Sequence, residues 1–565
     1  MKKILSLSMM IVLMISLFTG CTSSSDEKPA VTSNTSTNTD TEATSEGSNA
    51  AGSLAAMQEF TFASANDMMT LDVSKMNDEM SALIMYAVNE PLVRYYKGEV
   101  TMASAESYEV SEDGTKVIFH LRDLKWSDGE PVTAGDFEYA FKRLLNPETG
   151  SSQCDIFDRV SGAIAYYSGE NADAESVGIK ATDDKTLEMT LTQADPFFIE
   201  HIAEGINFYP LRKDYVGKYA EGYGSGAESF IGCGPFILSE WVQGASITLE
   251  KNENYWDADK IKLTKVTELI VGDENTRVGM YDLGDVDELY SISKTQTLNY
   301  PDYGSKSGGT LQHLVYMSSE GSLLSNKNLR LALSHSIDRQ AIVTALSAPG
   351  TEVTDRMIDP TSTLNGESIA EKYPASTGIP ANGDVEKAKA YLNDALAEMN
   401  LSSVADLQTI NYVCLDSSSH KAYAEALQAR WADTLGVDVE INIMPVPQAI
   451  GALLSGEFDI FLNGMGTGVS PDTLLSNYTF DGANNYAKWN NQAYSDLIEA
   501  QFIETDINKR LETLQKAEQL FLNESPVTPL WLPGTAYICK DYVQDLTYGR
   551  QTGSIEFIYA SILEH

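Results

Sequence analysis

The stretch from Lys116 to Pro147, KVIFHLRDLKWSDGEPVTAGDFEYAFKRLLNP, leaves this chain the fewest options. Val117, Phe119 and Leu121 alternate with Lys116, His120 and Arg122, the period of a strand with one buried face. Ile118 interrupts the polar face, so the second face is expected to be covered as well. Trp126-Ser127-Asp128-Gly129 then supplies a turn, since Asp bonds to backbone two residues on and Gly accepts positive φ. Thr133 is placed to cap the N–H of Asp136 at the start of a helix, and Asp136 suits the positive end of the helix dipole. Phe137, Ala140, Phe141, Leu144 and Leu145 share one helical face. Lys142 and Arg143 lie near its C-terminal end, and Asn146-Pro147 stops it. Strand, turn and capped helix together predict an α/β domain.

The chain opens with Lys2 and Lys3 ahead of an apolar run from Ile4 to Phe18, too short to span a bilayer and suited to a signal peptide. Thr19-Gly20-Cys21 is similar to a lipobox, with Phe18 where Leu is usual, and makes Cys21 the candidate lipidated residue. Up to about Ser53 the sequence is Ser, Thr, Asn, Asp, Glu, Ala and Gly, too poor in large apolar groups to offset its ordering entropy, and is expected to be a tether. The remainder is long enough for about three domains.

With 81 Asp plus Glu against 39 Lys plus Arg, the net charge is −42, which excludes nucleic acid and anionic lipid surfaces as partners. Cys154, Cys233, Cys414 and Cys539 form no CxxC pair, so a zinc or thiol-redox site has no support, while their pairing stays open. Asp257 and Asp259 lack the ligand ladder of a calcium loop. No metal and no cofactor is expected.

Several further segments carry a resemblance. Thr70-Leu71-Asp72-Val73 and Asn89-Glu90-Pro91-Leu92 flank a helical pattern from Met76 to Val88. Gly232 to Lys260 reads as G-x-GPF, a hairpin, then NENYWD. Asn328 to Arg339 reads NLRLALSHSIDR. Taken with the opening stretch, these motifs resemble, in order and spacing, the family 5 solute-binding proteins, the oligopeptide- and dipeptide-binding receptors of bacterial ABC importers. The resemblance runs from about residue 59 to 560.

It implies a two-lobed type II periplasmic-binding-protein-like α/β fold with a hinge and an additional α+β domain. The implied divisions are a signal peptide (1–20), a lipidated tether (21–56), lobe I (57–95, 205–310 and 529–565), an inserted domain (96–204) and lobe II (311–528). In lobe II, Val385 to Met399 and His420 to Leu435 read as amphipathic helices, Val437 to Ile443 and Asp459 to Leu462 as strands, and Lys509 to Leu522 as a last long helix. Helix, Gly, strand is the unit of a doubly wound domain.

Catalysis has no constellation to stand on. No HExxH or GxSxG occurs, and the six His are scattered. Ser291-Ile292-Ser293-Lys294 matches SxxK without an accompanying KTG or SDN, and Gly222 to Ala227 imitates a dinucleotide fingerprint without a preceding strand. The chain is expected not to be an enzyme.

Binding has candidates. A peptide of variable sequence can be held through its backbone as an added strand, with roomy pockets for its side chains. The resemblance places such contacts on Asn77, Asp78 and Glu79 in lobe I and on Gly464, Met465, Gly466, Thr467, Gly468 and Asp472 in lobe II, with Gln153 lining the cleft from the inserted domain. Trp489 and Trp531 are aromatic candidates. Glycines clustered after a strand suit close backbone approach to a ligand.

Peptide-binding relatives carry GWxxDYxxP here, whose Asp pairs with the ligand's amino terminus. This chain has Met465 and Gly468 at the Trp and Asp positions. Asp472, or Asp78 with Glu79, could substitute, or the ligand lacks a free amine. The resulting reading is a monomeric lipoprotein on the outer face of the cell membrane, tethered through its lipid alone, that delivers oligopeptides to ABC permease subunits. The alternatives are a ligand without a free amine (glycan, modified peptide or metal chelate) and a surface peptide sensor not coupled to import.

Overall fold

A computed structural model describes residues 53–364, 367–468, 470–480, 482, 484–549 and 555–565. Cys21 and the tether to residue 52 lie outside them. Two large sheets form the centres of two lobes. The first runs in the order Gly304–Ser307, Gly534–Cys539, Glu288–Ile292, Glu59–Ser64, Lys265–Ile270, Ser246–Lys251 and Phe236–Val242. The second runs Glu352–Val353, Val527–Leu532, Thr310–Tyr316, Ile460–Gly466, Ile410–Leu415 and Val439–Met444. A separate antiparallel sheet of Ala105–Val110, Lys116–Leu121, Thr186–Thr190 and Ile179–Asp183 stands beside the first.

The opening stretch folds as its pattern predicts. Val117, Phe119 and Leu121 are buried along the strand, and its other face is half-covered. The helix runs Ala134–Leu145 with its expected apolar face buried. Its cap differs in detail: the Asp136 carboxylate accepts from Thr133 N at 2.8 Å and from Thr133 Oγ1 at 3.0 Å, so the acid caps the threonine. The charges at the far end also have specific partners. Lys142 bonds Glu138 at 2.6 Å, and Arg143 holds Asp72 through two bonds of 2.6 and 2.8 Å.

The two lobes are joined where neighbouring strands cross between sheets. Gly304–Ser307 passes through Gly308-Gly309 into Thr310–Tyr316, and Val527–Leu532 returns through Pro533 into Gly534–Cys539. The two crossings lie side by side, because Ser307 pairs with Gly534 and Gln312 with Trp531. Gly308 and Gly309 have φ of 119° and 75°, which a side chain would disfavour. A boundary at residue 529 is thereby corrected: Val527–Leu532 stays in the second sheet, and the return falls at Pro533.

Each lobe has its own cores, but one residue trespasses. Phe197 packs in the core that otherwise holds residues 311–532, while Phe198, Ile199 and Ile202 beside it pack in the core of the first lobe. Cys233, Cys414 and Cys539 are free thiols, so they do not pair with one another. No helix among the described residues is long and apolar enough to cross a membrane.

Candidate functional site

A cavity of about 850 Å³ opens between the lobes next to the two crossings. The first lobe contributes Tyr86, Arg94, Tyr95, Lys97, Tyr537 and Tyr548, the crossing strand Ser305 to Ser307, and the second lobe Glu352, Thr361 and Thr363. The volume falls in the range of small-molecule sites, about 300–1,000 Å³. Its walls combine tyrosines with charged side chains of both signs, and two of its cations are already engaged. Arg94 is paired with Glu90 beneath the wall, and the Lys306 ammonium donates to the Tyr548 carbonyl. Burial raises the pKa of Glu556 above the ordinary carboxylate value, while Lys306, Arg94 and Lys97 nearby oppose that rise.

These tyrosines were not singled out from sequence. A local signal did exist: Lys97-Gly98, with φ of 52° and 83°, is a two-residue hairpin turn joining Val93–Tyr96 to Glu99–Met102. It presents Tyr95 and Lys97 to the cavity.

The first-lobe candidates come together. Asn77 donates to Ser152 at 3.4 Å, and Gln153, largely buried, reaches the same hydroxyl at 3.5 Å. Asp78 caps the helix Glu79–Val88 by accepting from Ser81 N at 2.9 Å. Its other oxygen is buried and has no hydrogen-bond partner among the described residues. Burial, and then the neighbouring charge of Asp78, pushes the Glu79 carboxyl up to about 7.

The second-lobe candidates lie on one strand and the turn after it. The strand was expected to end at Leu462, but it runs to Gly466 because Gly464, Met465 and Gly466 pair with Gln312, Leu311 and Thr310. Gly464 and Gly466 are exposed, whereas Met465 packs on the second core. Thr467 is buried and donates to Asp359 at 3.0 Å, tying this segment to the one that carries Thr361 and Thr363.

Gly468 has φ of 63°, and a Cβ there would stand 2.4 Å from Thr473 Oγ1. The backbone at this position therefore resists any side chain, acidic ones included. Asp472 is buried, accepts from the Ser470 hydroxyl, and lies 3.5 Å from Arg510 and 3.9 Å from Arg159. Burial would raise its pKa, but Arg510 leads the groups that outweigh burial and hold it below the ordinary value. The charge of Asp472 is met from within the chain.

The two tryptophans are core residues. Trp489 packs edge-on against Tyr494 and Phe521, and Trp531 packs on Tyr423 at 1% exposure. Lys294 of the SxxK match donates to the Thr344 carbonyl. Among the described residues no group of His, Cys, Asp and Glu could hold a metal ion.

Over residues 99–488 the chain matches the bacterial extracellular solute-binding proteins, family 5 Middle. It is 32% identical over 481 residues to the oligopeptide-binding protein OppA of Bacillus subtilis, covering 83% of this chain and 85% of that protein. It is 28% identical over 473 residues to the dipeptide-binding protein DppE of the same organism, covering 81% and 84%. Among solved structures, the substrate-binding domain of an oligopeptide ABC transporter from Bacillus anthracis superposes with a TM-score of 0.69 at 28% identity, covering 91% of this chain and all (100%) of that one. The peptide-bound OppA of Listeria monocytogenes shares the fold, with a TM-score of 0.68 at 24% identity over 90% of this chain and 100% of that one.

Proposed function

Because the chain belongs to the bacterial extracellular solute-binding proteins of family 5, we propose that it captures oligopeptides between its lobes and hands them to an ABC importer. It is a binding protein and not an enzyme. The observation that carries the reading is the cavity of about 850 Å³ walled by both lobes and by a crossing strand, since a ligand held there touches both halves at once. Contacts available only when both halves are near shift the population toward the closed form. The exposed backbone at Gly464 and Gly466, outside the lining of that cavity, supports recognition of a peptide main chain, and the tyrosine walls of the cavity suit side chains of varied kind. The apolar run, the Thr19-Gly20-Cys21 motif and the polar tether support anchoring to the outer face of the membrane through lipid on Cys21.

One refinement has its own support. Gly468 resists a side chain and Asp472 is engaged by Arg510 and Arg159, so a ligand's ammonium finds no available acid there. Of the acids that the family resemblance places at the cleft, Asp78, with an unpartnered oxygen, and Glu79 are the ones left to meet it. Calorimetric titration with short peptides, free and N-acetylated, tests both points. Peptides are expected to bind, with acetylation costing affinity in the wild type and much less in Asp78→Asn. Silence with peptides alongside binding of sugars or metal chelates would sink the assignment.

A further inference from the structure

Phe197 and four charged residues form a contact between the lobes built wholly from this chain's own groups. Asp195 turns the chain, accepting from Phe197 N at 3.1 Å, so that Phe197 enters the second lobe's core while Phe198 enters the first. Arg510, on the helix Ile507–Glu524 of the second lobe, lies 3.5 Å from both Asp195 and Asp472. Arg159, from the first-lobe side, lies 3.9 Å from the same two acids. The aromatic contacts are exchanged in the same way. Arg510 stands over the ring of Phe197 at 4.8 Å and Arg159 over the ring of Phe502 at 4.2 Å, each cation resting on a ring from the other lobe. His201 adds a nitrogen 4.0 Å from Asp195.

Asp195, Asp472 and Arg510 are all less than a tenth exposed, so solvent screens these charges poorly and each depends on the others. Asp472 also ends the segment that begins at Gly464. The same carboxylate therefore belongs to the lobe contact and to the candidate binding segment.

We propose that Asp195, Arg510, Asp472 and Arg159, with Phe197 seated across the gap, form a latch that draws the lobes together and fixes the segment Gly464–Asp472, making Arg159 and Arg510 positioning residues for ligand capture. The proposal rests on the reading that the cleft receives the ligand. A latch of this kind raises the fraction of molecules ready to close, and apparent affinity rises in proportion to that fraction. It also accounts for why Asp472 is not offered to a ligand's ammonium.

The test uses the full chain as wild type, Arg159→Gln, Arg159→Lys and Phe197→Ala, followed by small-angle X-ray scattering without peptide and by peptide titration. Without peptide, Arg159→Gln and Phe197→Ala are expected to show a larger radius of gyration than wild type, with Arg159→Lys close to it. With peptide, the two open variants are expected to bind on the order of tenfold more weakly, as a coupling of ordinary size predicts. Wild-type dimensions and affinity in both variants would overturn the latch, and a Lys variant as open as the Gln variant would overturn its ionic part. Should Phe197→Ala lose its far-ultraviolet dichroism, Arg159→Gln, at a half-exposed site, decides alone. Failure of every protein to bind peptide would remove the functional reading, while the scattering without peptide would still judge the latch.

Discussion

Glu79 shows how much of a residue's chemistry is absent from its local sequence. Its place beside Asp78 at a helix start is legible, but its titration near 7 comes first from burial by distant elements and only then from its neighbour. The sign follows from linkage. The folded state holds the proton up to about 7 whereas an unfolded Glu releases it near 4.5, so stability is full below about 4.5 and falls as pH rises through 7. Glu79→Gln removes that dependence. Thermal unfolding is expected to show the variant stabilised over wild type at pH 8, by on the order of 2 kcal/mol, with little difference at pH 5. A gain of the same size at both pH values would contradict the assignment. The glycines make the same point about locality. Read along the chain, Gly464 and Gly468 suggest approach by a ligand, yet a Cβ at either position would meet Gln312 or Thr473. Gln312 comes from a strand far away in sequence and could not be anticipated. The tryptophans likewise give no local sign of whether they face a core or a cleft.

At the scale of elements, local pattern carried far. The helix Ala134–Leu145, the hairpin Phe236–Val242 with Ser246–Lys251, and the helices Val385–Glu398, Ser418–Leu435 and Ile507–Glu524 all lie within a few residues of where periodicity and caps place them. What failed was termination set by pairing, as where Ile460–Gly466 outruns its apolar residues because Thr310–Tyr316 continues beside it. Arg143 is a similar case. Near a helix C-terminus it needs no partner beyond the dipole, but the structure gives it both carboxylate oxygens of Asp72, at 4% side-chain exposure, so it docks the helix onto the first lobe. Arg143→Met is therefore expected to cost on the order of 3 kcal/mol, the usual size for stranding one member of a largely buried pair. Arg143→Lys should recover only part, because a single ammonium cannot reproduce the fork. Denaturant unfolding with unchanged helix content would measure it, and a loss no larger than that of an exposed ion pair would show that the dipole reading was sufficient.

For the whole molecule, the two-lobed plan was legible through the order of its motifs, whereas the order of strands and the intrusion of Phe197 depend on contacts between segments hundreds of residues apart. Net charge needs no such contacts. The excess of 81 acidic over 39 basic residues sets a negative field around the body, and the cavity does not reverse it: Glu99, Glu204, Glu352 and Glu556 line it against Arg94, Lys97 and Lys306. Two of those three cations already face Glu90 and the Tyr548 carbonyl. Peptides approaching from solution should accordingly be steered by their own net charge before any pocket reads their side chains. Steering of this kind raises association rates by factors of about 10 or more and fades once the screening length shrinks from ~30 Å at 0.01 M salt to ~3 Å at 1 M. Stopped-flow fluorescence should thus find a lysine-rich peptide associating about tenfold faster than an aspartate-rich peptide of equal length at low salt, with the two converging in high salt. Dissociation rates, set by contacts inside the cavity, should change far less with salt. Equal association rates that stay flat across the salt series would mean that the field at the cleft mouth is set locally, by Lys97 and Lys306, and not by the acidic surface as a whole.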